Sequence, residues 1–332
     1  IAIYAQSNPQ VNRIWGQIMT AASRFLWLLS LLSLFLPADQ RLPFALNLPF
    51  ITIDFHIDAL SLYFILLVNV IAFVASCNAI SYLEARFPDK LPSGLLQHPL
   101  FFHASVNFFH LTMLLVPMID NLVGVWIAIE LTTLFSTLLV GYQNTKDAWE
   151  AAWKYLIITS TGIVLALLGT MFLANAVTHS LTQEALNEFL RSAGKSKDAI
   201  LDWTILLQMA KDGHFSGDIA KGFIRFGFLS ALVGYGTKAG LAFVHTWLPD
   251  GHGEAPAPIS ALLSGVLLKS ALYAILRFYT ITNIALKDTR FTSIILLGVG
   301  ALSLVLAVPF ILKDNRFKRV LAYHLSLIHI SE

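Results

Sequence analysis

The feature that most constrains this chain is the recurrence of apolar runs about twenty residues long. As an α-helix, such a run covers the ~30 Å hydrocarbon core of a bilayer. A helix also satisfies its backbone donors and acceptors within its own segment, where no water is at hand. The runs occupy 18–36, 59–83, 100–119, 122–142, 151–177, 223–248, 259–280 and 291–312, and another begins near Phe317. Arg24, the apolar run after it and Pro37-Ala38 imitate a signal peptide, but with so many spans downstream the first run reads as a transmembrane helix. The chain is 56% hydrophobic and 13% charged, against about a quarter charged in a soluble domain. It is read as an all-α, polytopic membrane protein seated in the lipid bilayer.

One polar stretch, 178–222, interrupts the series. It holds "LTQEALNEFLRS" and "DAILDWTILLQMAKDG", whose spacing predicts short helices on the membrane surface. Orientation follows from lysine and arginine in the short connections. Arg13, Arg86, Lys90, Lys146, Lys313, Arg316, Lys318 and Arg319 fall on one side, and only Arg41, Lys287 and Arg290 on the other. The first side is placed in the cytoplasm, so the chain is expected in the inner (plasma) membrane.

Several function classes drop out. A net charge of +2 gives no nucleic-acid surface. The single cysteine, Cys77, cannot form an intrachain disulfide or hold an iron–sulfur cluster. It lies in an apolar run and reads as core filler. No glycine-rich phosphate loop occurs, and no cofactor site is expected.

Three ionisable residues sit at mid-membrane depth: Glu130, Lys238 and Lys269. A lysine there costs roughly 2.5–3.5 kcal/mol on insertion scales, while a polar bond between membrane helices returns only about 1 kcal/mol. Static ion pairs therefore scarcely cover the cost. A proton relay explains it better, because a lysine whose carboxylate partner approaches or retreats has a switchable proton affinity. Lys154, one turn into its span, is either a pathway residue or a snorkelling one. His103 and His110, seven apart on one face, line a hydrated path or bond neighbouring helices. His245, at the end of the Lys238 run, has the same two readings. His245, Asp250, His252 and Glu254 in "HTWLPDGHGEAPAP" match no metallohydrolase spacing. The segment reads as a tight turn joining two functional helices, with Pro256 and Pro258 as a rigid helix start.

"KAGLAFVHTWLPDGHGEAPAPISALLSGVLLKSALYAILRF", together with "VWIAIELTTL", "EAAWKYLIITSTGIVLALLGT" and "DNRFKRVLAYH", resembles the proton-pumping, antiporter-like membrane subunits of respiratory complex I, group 4 hydrogenases and Mrp-type sodium/proton antiporters. The likeness to hydrogenase-4 component F is the closest within that superfamily, with complex I next. It implies an antiporter-like fold of two inverted five-helix repeats. The implied division is two N-terminal spans in 1–99, a complete first repeat in 100–280 with its polar insertion at 178–222, and the start of a second repeat in 281–324. Residues 325–332 read as a translated sequencing adapter.

The resemblance also implies roles. Glu130 pairs with Lys238, Lys269 is the central lysine that hands protons onward, and Lys154 matches a lysine frequent on the sixth helix. Partners would be other membrane subunits and a peripheral redox arm. The expected function is proton translocation within a hydrogenase-4 or complex I type oxidoreductase. The alternatives are an Mrp-type cation/proton antiporter subunit, or a non-pumping scaffold or carbon-uptake partner. The coupled ion, H⁺ or Na⁺, stays open. The family's usual proline five residues after the seventh-helix lysine is Phe243 here, and Gly234, Gly236 and Gly240 leave a helix break available.

Overall fold

A computed structural model of the chain describes residues 40–48, 51–86, 99–195, 197–241 and 244–313. The span at 18–36, the stub after Phe317, Phe243 and the final octapeptide lie outside these residues. The described elements run β1 (Gln40–Leu48), β2 (Ile51–Ile57), α1 (Ala59–Arg86), α2 (Pro99–Met118), α3 (Leu122–Val140), α4 (Lys146–Ser180), α5 (Gln183–Ser192), α6 (Trp203–Lys211), α7 (Asp218–Ala239), α8 (Trp247–Glu254), α9 (Ala257–Leu262), α10 (Leu268–Leu286) and α11 (Arg290–Lys313). A π-helical turn, Leu263–Leu267, joins α9 to α10.

Five segments are long and apolar enough to cross a membrane: Ala59–Ala79, Phe101–Met118, Leu122–Gln143, Lys146–Ser180 and Ala257–Leu286. They match runs read from the sequence. α4 shows why such a helix belongs in lipid. Thr145 caps it by accepting from the Ala148 N–H at 3.1 Å. Its buried residues, Ala151, Tyr155, Thr159, Gly162, Ala166, Gly169 and Leu173, recur every three or four positions. They are mostly small or hydroxylated, whereas Trp153, Ile157, Val164, Leu168 and Met171 face outward. Large apolar side chains outside and small ones inside is the pattern that close helix packing in a membrane requires.

α4 pairs most extensively with α7. A Cβ on Gly162 would overlap the Thr237 side chain, and one on Gly234 would overlap the Ala166 backbone. The two helices therefore approach to a distance that only glycine permits there.

The run at 223–248 is not one helix. α7 stops at Ala239, and Gly240 turns left-handed at φ 80°, a conformation glycine adopts without steric cost. Apolarity continues through the break, so hydropathy alone joined what the backbone separates. α7 is also missing from the five apolar segments, because Asp218, Lys221, Arg225 and Lys238 lie along it. "WLPDGHGE" forms the short helix α8 and not the expected tight turn. Pro256 does cap α9, with Pro258 in its first turn, as the sequence suggested.

Two further corrections concern the start of the described chain. Cys77 is exposed on α1. The buried face of that helix runs through Val68, Ala72, Ala75, Ala79 and Leu83, and Cys77 shares the outward side with Phe73 and Val74. The helical reading also missed an antiparallel hairpin, β1 with β2, in register Ala45↔Asp54 and Leu46↔Ile53. In β2, Ile53, Phe55 and Ile57 are buried while Asp54 and His56 alternate to the other face.

The two amphipathic segments of the polar insertion fold as α5 and α6, as expected. Leu186 and Leu190 of α5, with Trp203, Leu206 and Met209 of α6, turn inward. The cap they form meets the corner between α2 and α3, where the Asp120 N–H donates to the Asp54 carbonyl and the Trp203 N–H to the Asp120 carbonyl, each at 2.9 Å.

Candidate functional site

Lys238 occupies the last turn of α7, two residues before Gly240, and is wholly buried. Its amine reaches α3. It donates to the Ile129 carbonyl and the Thr132 hydroxyl at 2.7 Å each, and to the Thr133 hydroxyl in a short bond. Three donors thus meet three acceptors. All the acceptors are neutral, so the hydrogen bonds are satisfied while the charge is not cancelled.

Glu130 follows Ile129 in the chain and is half-buried. Its Oε1 accepts from the Ser160 hydroxyl at 2.5 Å. Its Oε2 is buried and bonds no group among the described residues. Glu130 and Lys238 do not form a direct ion pair among the described residues. Ile129, whose carbonyl accepts from the amine, is the residue next to Glu130 in α3.

On the α3–α4 seam the Thr133 hydroxyl also donates to the Ile129 carbonyl at 3.3 Å, and the Tyr155 phenol shares a 2.7 Å bond with Ser136. The indole of Trp247 lies 4.6 Å from the Tyr155 ring and donates to the Thr237 carbonyl at 2.7 Å. None of these residues was singled out in the sequence. Their signal was present in "ELTTLFST", where Glu130, Thr133 and Thr137 recur at one-turn spacing with Thr132 and Ser136 beside them.

Lys269 stands in the first turn of α10, directly after the π turn, and is half-buried. α10 packs against α7 and touches α3. Lys154 is exposed and pairs with Glu150 at 2.6 Å and Asp250 at 3.3 Å. His245 is buried between α7 and α8. On α2, His103 is half-buried, while His110 is buried and bonds Asn69 of α1 at 3.0 Å. In "HTWLPDGHGEAPAP", Asp250 faces Lys154 and His252 shares a 3.3 Å bond with Ser260.

A second charged network joins the polar insertion to the helical bundle. Lys195 donates to Asp54 at 2.7 Å, Asp120 at 2.9 Å and Asp202 at 2.5 Å. Burial works against its charge, but the carboxylates hold it above the usual lysine range. Burial, and then the neighbouring Asp120, pushes Asp202 up to about 7. The Arg277 guanidinium grips Asp58 with two bonds of 2.8 and 2.6 Å and stacks 3.7 Å over Trp203. Burial opposes the Asp58 charge, yet Arg277 outweighs it and brings the carboxyl down to about 2. Arg277 lies eight residues beyond Lys269 on α10, so this network ties the insertion to the Lys269 helix.

Comparison with known proteins agrees with this architecture. Residues 120–330 match the family described as NADH:quinone oxidoreductase/Mrp antiporter, TM. The Hydrogenase-4 component F homolog of Methylacidiphilum infernorum (isolate V4) is 35% identical over 271 residues, 81% of this chain and 52% of that protein. Hydrogenase-4 component B of Escherichia coli (strain K12) is 25% identical over 280 residues, 84% of this chain and 36% of that protein. This chain therefore spans about half or less of the length of these relatives. Among solved structures, it superposes with TM-score 0.72 and 18% identity on a chain of the membrane-bound sulfane sulfur reductase, an archaeal respiratory membrane complex, covering 99% of this chain and 60% of that one. The Mrp complex from Dietzia sp. DQ12-45-1b gives TM-score 0.71 at 15% identity, covering 99% and 55%. At such identities the superpositions establish the fold. With the buried lysine, its α3 acceptors and the broken helix all inside the matched range, the chain belongs to the NADH:quinone oxidoreductase/Mrp antiporter transmembrane family.

Proposed function

We propose that the chain is the proton-translocating part of a membrane subunit in a membrane-bound oxidoreductase of the hydrogenase-4 or complex I type. In this reading Lys238 and Lys269 are successive proton sites, and Glu130 is the movable charge that sets how firmly Lys238 holds its proton. One observation carries the reading: a lysine amine buried at membrane depth and bonded, among the described residues, only to neutral acceptors. A permanent structural charge would call for a direct counter-ion, whereas a site that must release its proton does not.

A carboxylate drawn closer strengthens the hold on the proton, and one drawn away weakens it. Redox chemistry elsewhere in the complex would move the Glu130 charge, and the proton freed from Lys238 would pass to Lys269. A lysine at the centre also favours H⁺ over Na⁺ as the ion carried, because an amine binds a proton and an ammonium repels a metal cation. Lys154 and His245 are the candidate flanking residues, and His103 and His110 line α2. The surrounding partners would be other membrane subunits and a peripheral redox arm, in the inner (plasma) membrane.

The test is the full-length subunit in its parent complex, in sealed vesicles, carrying Lys238→Met or Lys269→Ala. Loss of redox-driven proton uptake in both is expected. Unchanged pumping and turnover would refute the proposal.

A further inference from the structure

We infer that Lys154 is a positioning residue: it fastens α8 across the break in α7 and carries none of the translocated protons itself. The assignment rests on the reading of Lys238 as a proton site and identifies what holds that site in place.

The two lysines have opposite surroundings. The Lys238 amine is buried and meets neutral acceptors, whereas the Lys154 amine is exposed and lies 2.6 Å from Glu150 and 3.3 Å from Asp250. By the same rule that marks Lys238 as a site of release, an amine with direct counter-ions is a standing charge. Tyr155, the next residue, turns inward and is wholly buried, so the Lys154 side chain leaves α4 on the outward side.

What that charge does follows from where Asp250 stands. Asp250 lies on α8 three residues after Trp247, so the two face α4 one turn apart. They meet adjacent residues of α4: Asp250 the Lys154 amine, and Trp247 the Tyr155 ring at 4.6 Å. The far end of α8 is held as well, by the amide of Gln143 just after α3, which donates to the Glu254 carbonyl at 2.9 Å. α8 is thus clamped to the α3–α4 corner at three points. It is also joined to α7. A helix leaves its last carbonyls without donors of its own, and one of these, at Thr237, accepts from the Trp247 indole at 2.7 Å. Thr237 precedes Lys238, and Gly240 turns left-handed between the two helices. The indole is therefore the bond that sets their register across the break. Lys154 fixes α8, α8 fixes Trp247, and Trp247 fixes the turn that carries Lys238.

Glu150 is the competitor. One turn before Lys154, it draws the same amine back along its own helix. Deleting the Glu150 charge therefore leaves the amine to Asp250, whereas deleting the Asp250 charge unfastens α8. The two carboxylates are alike as counter-ions and unlike as anchors.

The experiment uses the full-length subunit in its parent complex, in sealed vesicles, and reads protons moved per redox turnover, normalised to assembled subunit. Lys154→Met and Asp250→Asn are each expected to lower that ratio by about two- to fivefold, which is what an exposed ion pair supplies. The double variant should lose no more than either. Glu150→Gln is expected to match wild type. Lys154→Arg is expected to match it too, because a guanidinium pairs with a carboxylate yet does not release its proton. Added salt should lower the wild-type ratio towards that of Lys154→Met, since exposed charges are screened. Lys154→Arg as impaired as Lys154→Met would overturn the inference by making the amine a carrier. A wild-type ratio in Asp250→Asn, or equal losses in Glu150→Gln and Asp250→Asn, would also overturn it. Normal pumping by Lys238→Met would instead remove the reading beneath it.

Discussion

Replacing Lys195 by methionine isolates the clasp that holds the polar insertion to the membrane bundle. In the folded chain its ammonium lies 2.5–2.9 Å from Asp54, Asp120 and Asp202 at once. Those residues come from β2, the α2–α3 corner and the segment before α6. Methionine keeps most of the stem and removes the charge. Carboxylate oxygens left roughly 4–5 Å apart around the vacated point repel by about 4 kcal/mol per pair at an effective dielectric constant near 20. Three full repulsions would not develop, because the carboxyls take up protons or move apart. The cost expected is that of breaking a buried pair by deleting one partner, about 3–5 kcal/mol.

The loss should depend on pH, and its sign is fixed. Asp202 holds its proton to about pH 7 when folded but only to its ordinary value of 3.8 when unfolded. Between those limits the folded state binds more protons, so wild-type stability falls as pH rises through the window and then levels off. The variant has no ammonium to offset the ionised forms, so its deficit should be largest at pH 8 and shrink towards pH 4. Thermal unfolding of the full-length subunit, purified in detergent and followed from pH 4 to 8, measures this. Adding Asp202→Asn should recover part of the loss by removing one repelling charge. Equal melting of wild type and Lys195→Met at pH 8 would refute the reasoning.

Two further outcomes follow from the same structure. Arg277→Met should destabilise by about 3–5 kcal/mol at pH 7, since it strands Asp58 and strips the guanidinium from Trp203. Because the Asp58 carboxyl is depressed to about 2, that stabilisation is present above pH 4 and lost as pH falls through 2. A melting series in which the difference is as large at pH 2 as at pH 7 would contradict this. Gly162→Leu should prevent the close approach of α4 and α7, because the new side chain would occupy the place of Thr237. Assembly of the parent complex, read on a native gel, should fall sharply, while Gly298→Ala on α11, where nothing among the described residues lies within 4 Å, should assemble normally.

The spans were legible because an apolar run of bilayer length has few alternatives. Polar punctuation marked α5 and α6 for the same kind of reason, as their apolar residues repeat at helical spacing. The break after Ala239 was legible only as an option. It depends on the left-handed Gly240, and glycine is tolerated both inside a membrane helix and at its end. "ITIDFHI" alternates at the period of a strand, but it abuts a long apolar run that draws it into a helical reading. Cys77 was misplaced because apolar surroundings do not imply burial when the solvent is lipid.

At the site, Lys238 could be seen as a charge in an apolar run, since nothing else about it is ordinary. Its acceptors could not, because threonine and serine in a membrane helix usually bond their own backbone, as Thr132 and Ser136 also do. The Lys195 clasp was beyond sequence reasoning. Its partners at Asp54 and Asp120 lie 141 and 75 residues away, and no local pattern joins them.

The π turn ahead of Lys269 carries a consequence of its own. Leu263–Leu267 holds one spare residue within an otherwise α-helical segment. Taking up that slack would rotate the downstream residues by about 100°, the angle between successive residues of an α-helix, for a length change of about 1.5 Å. Lys269 is the second residue beyond the turn, so a one-residue slip would swing its amine from one set of neighbours to another while the span still reached across the bilayer.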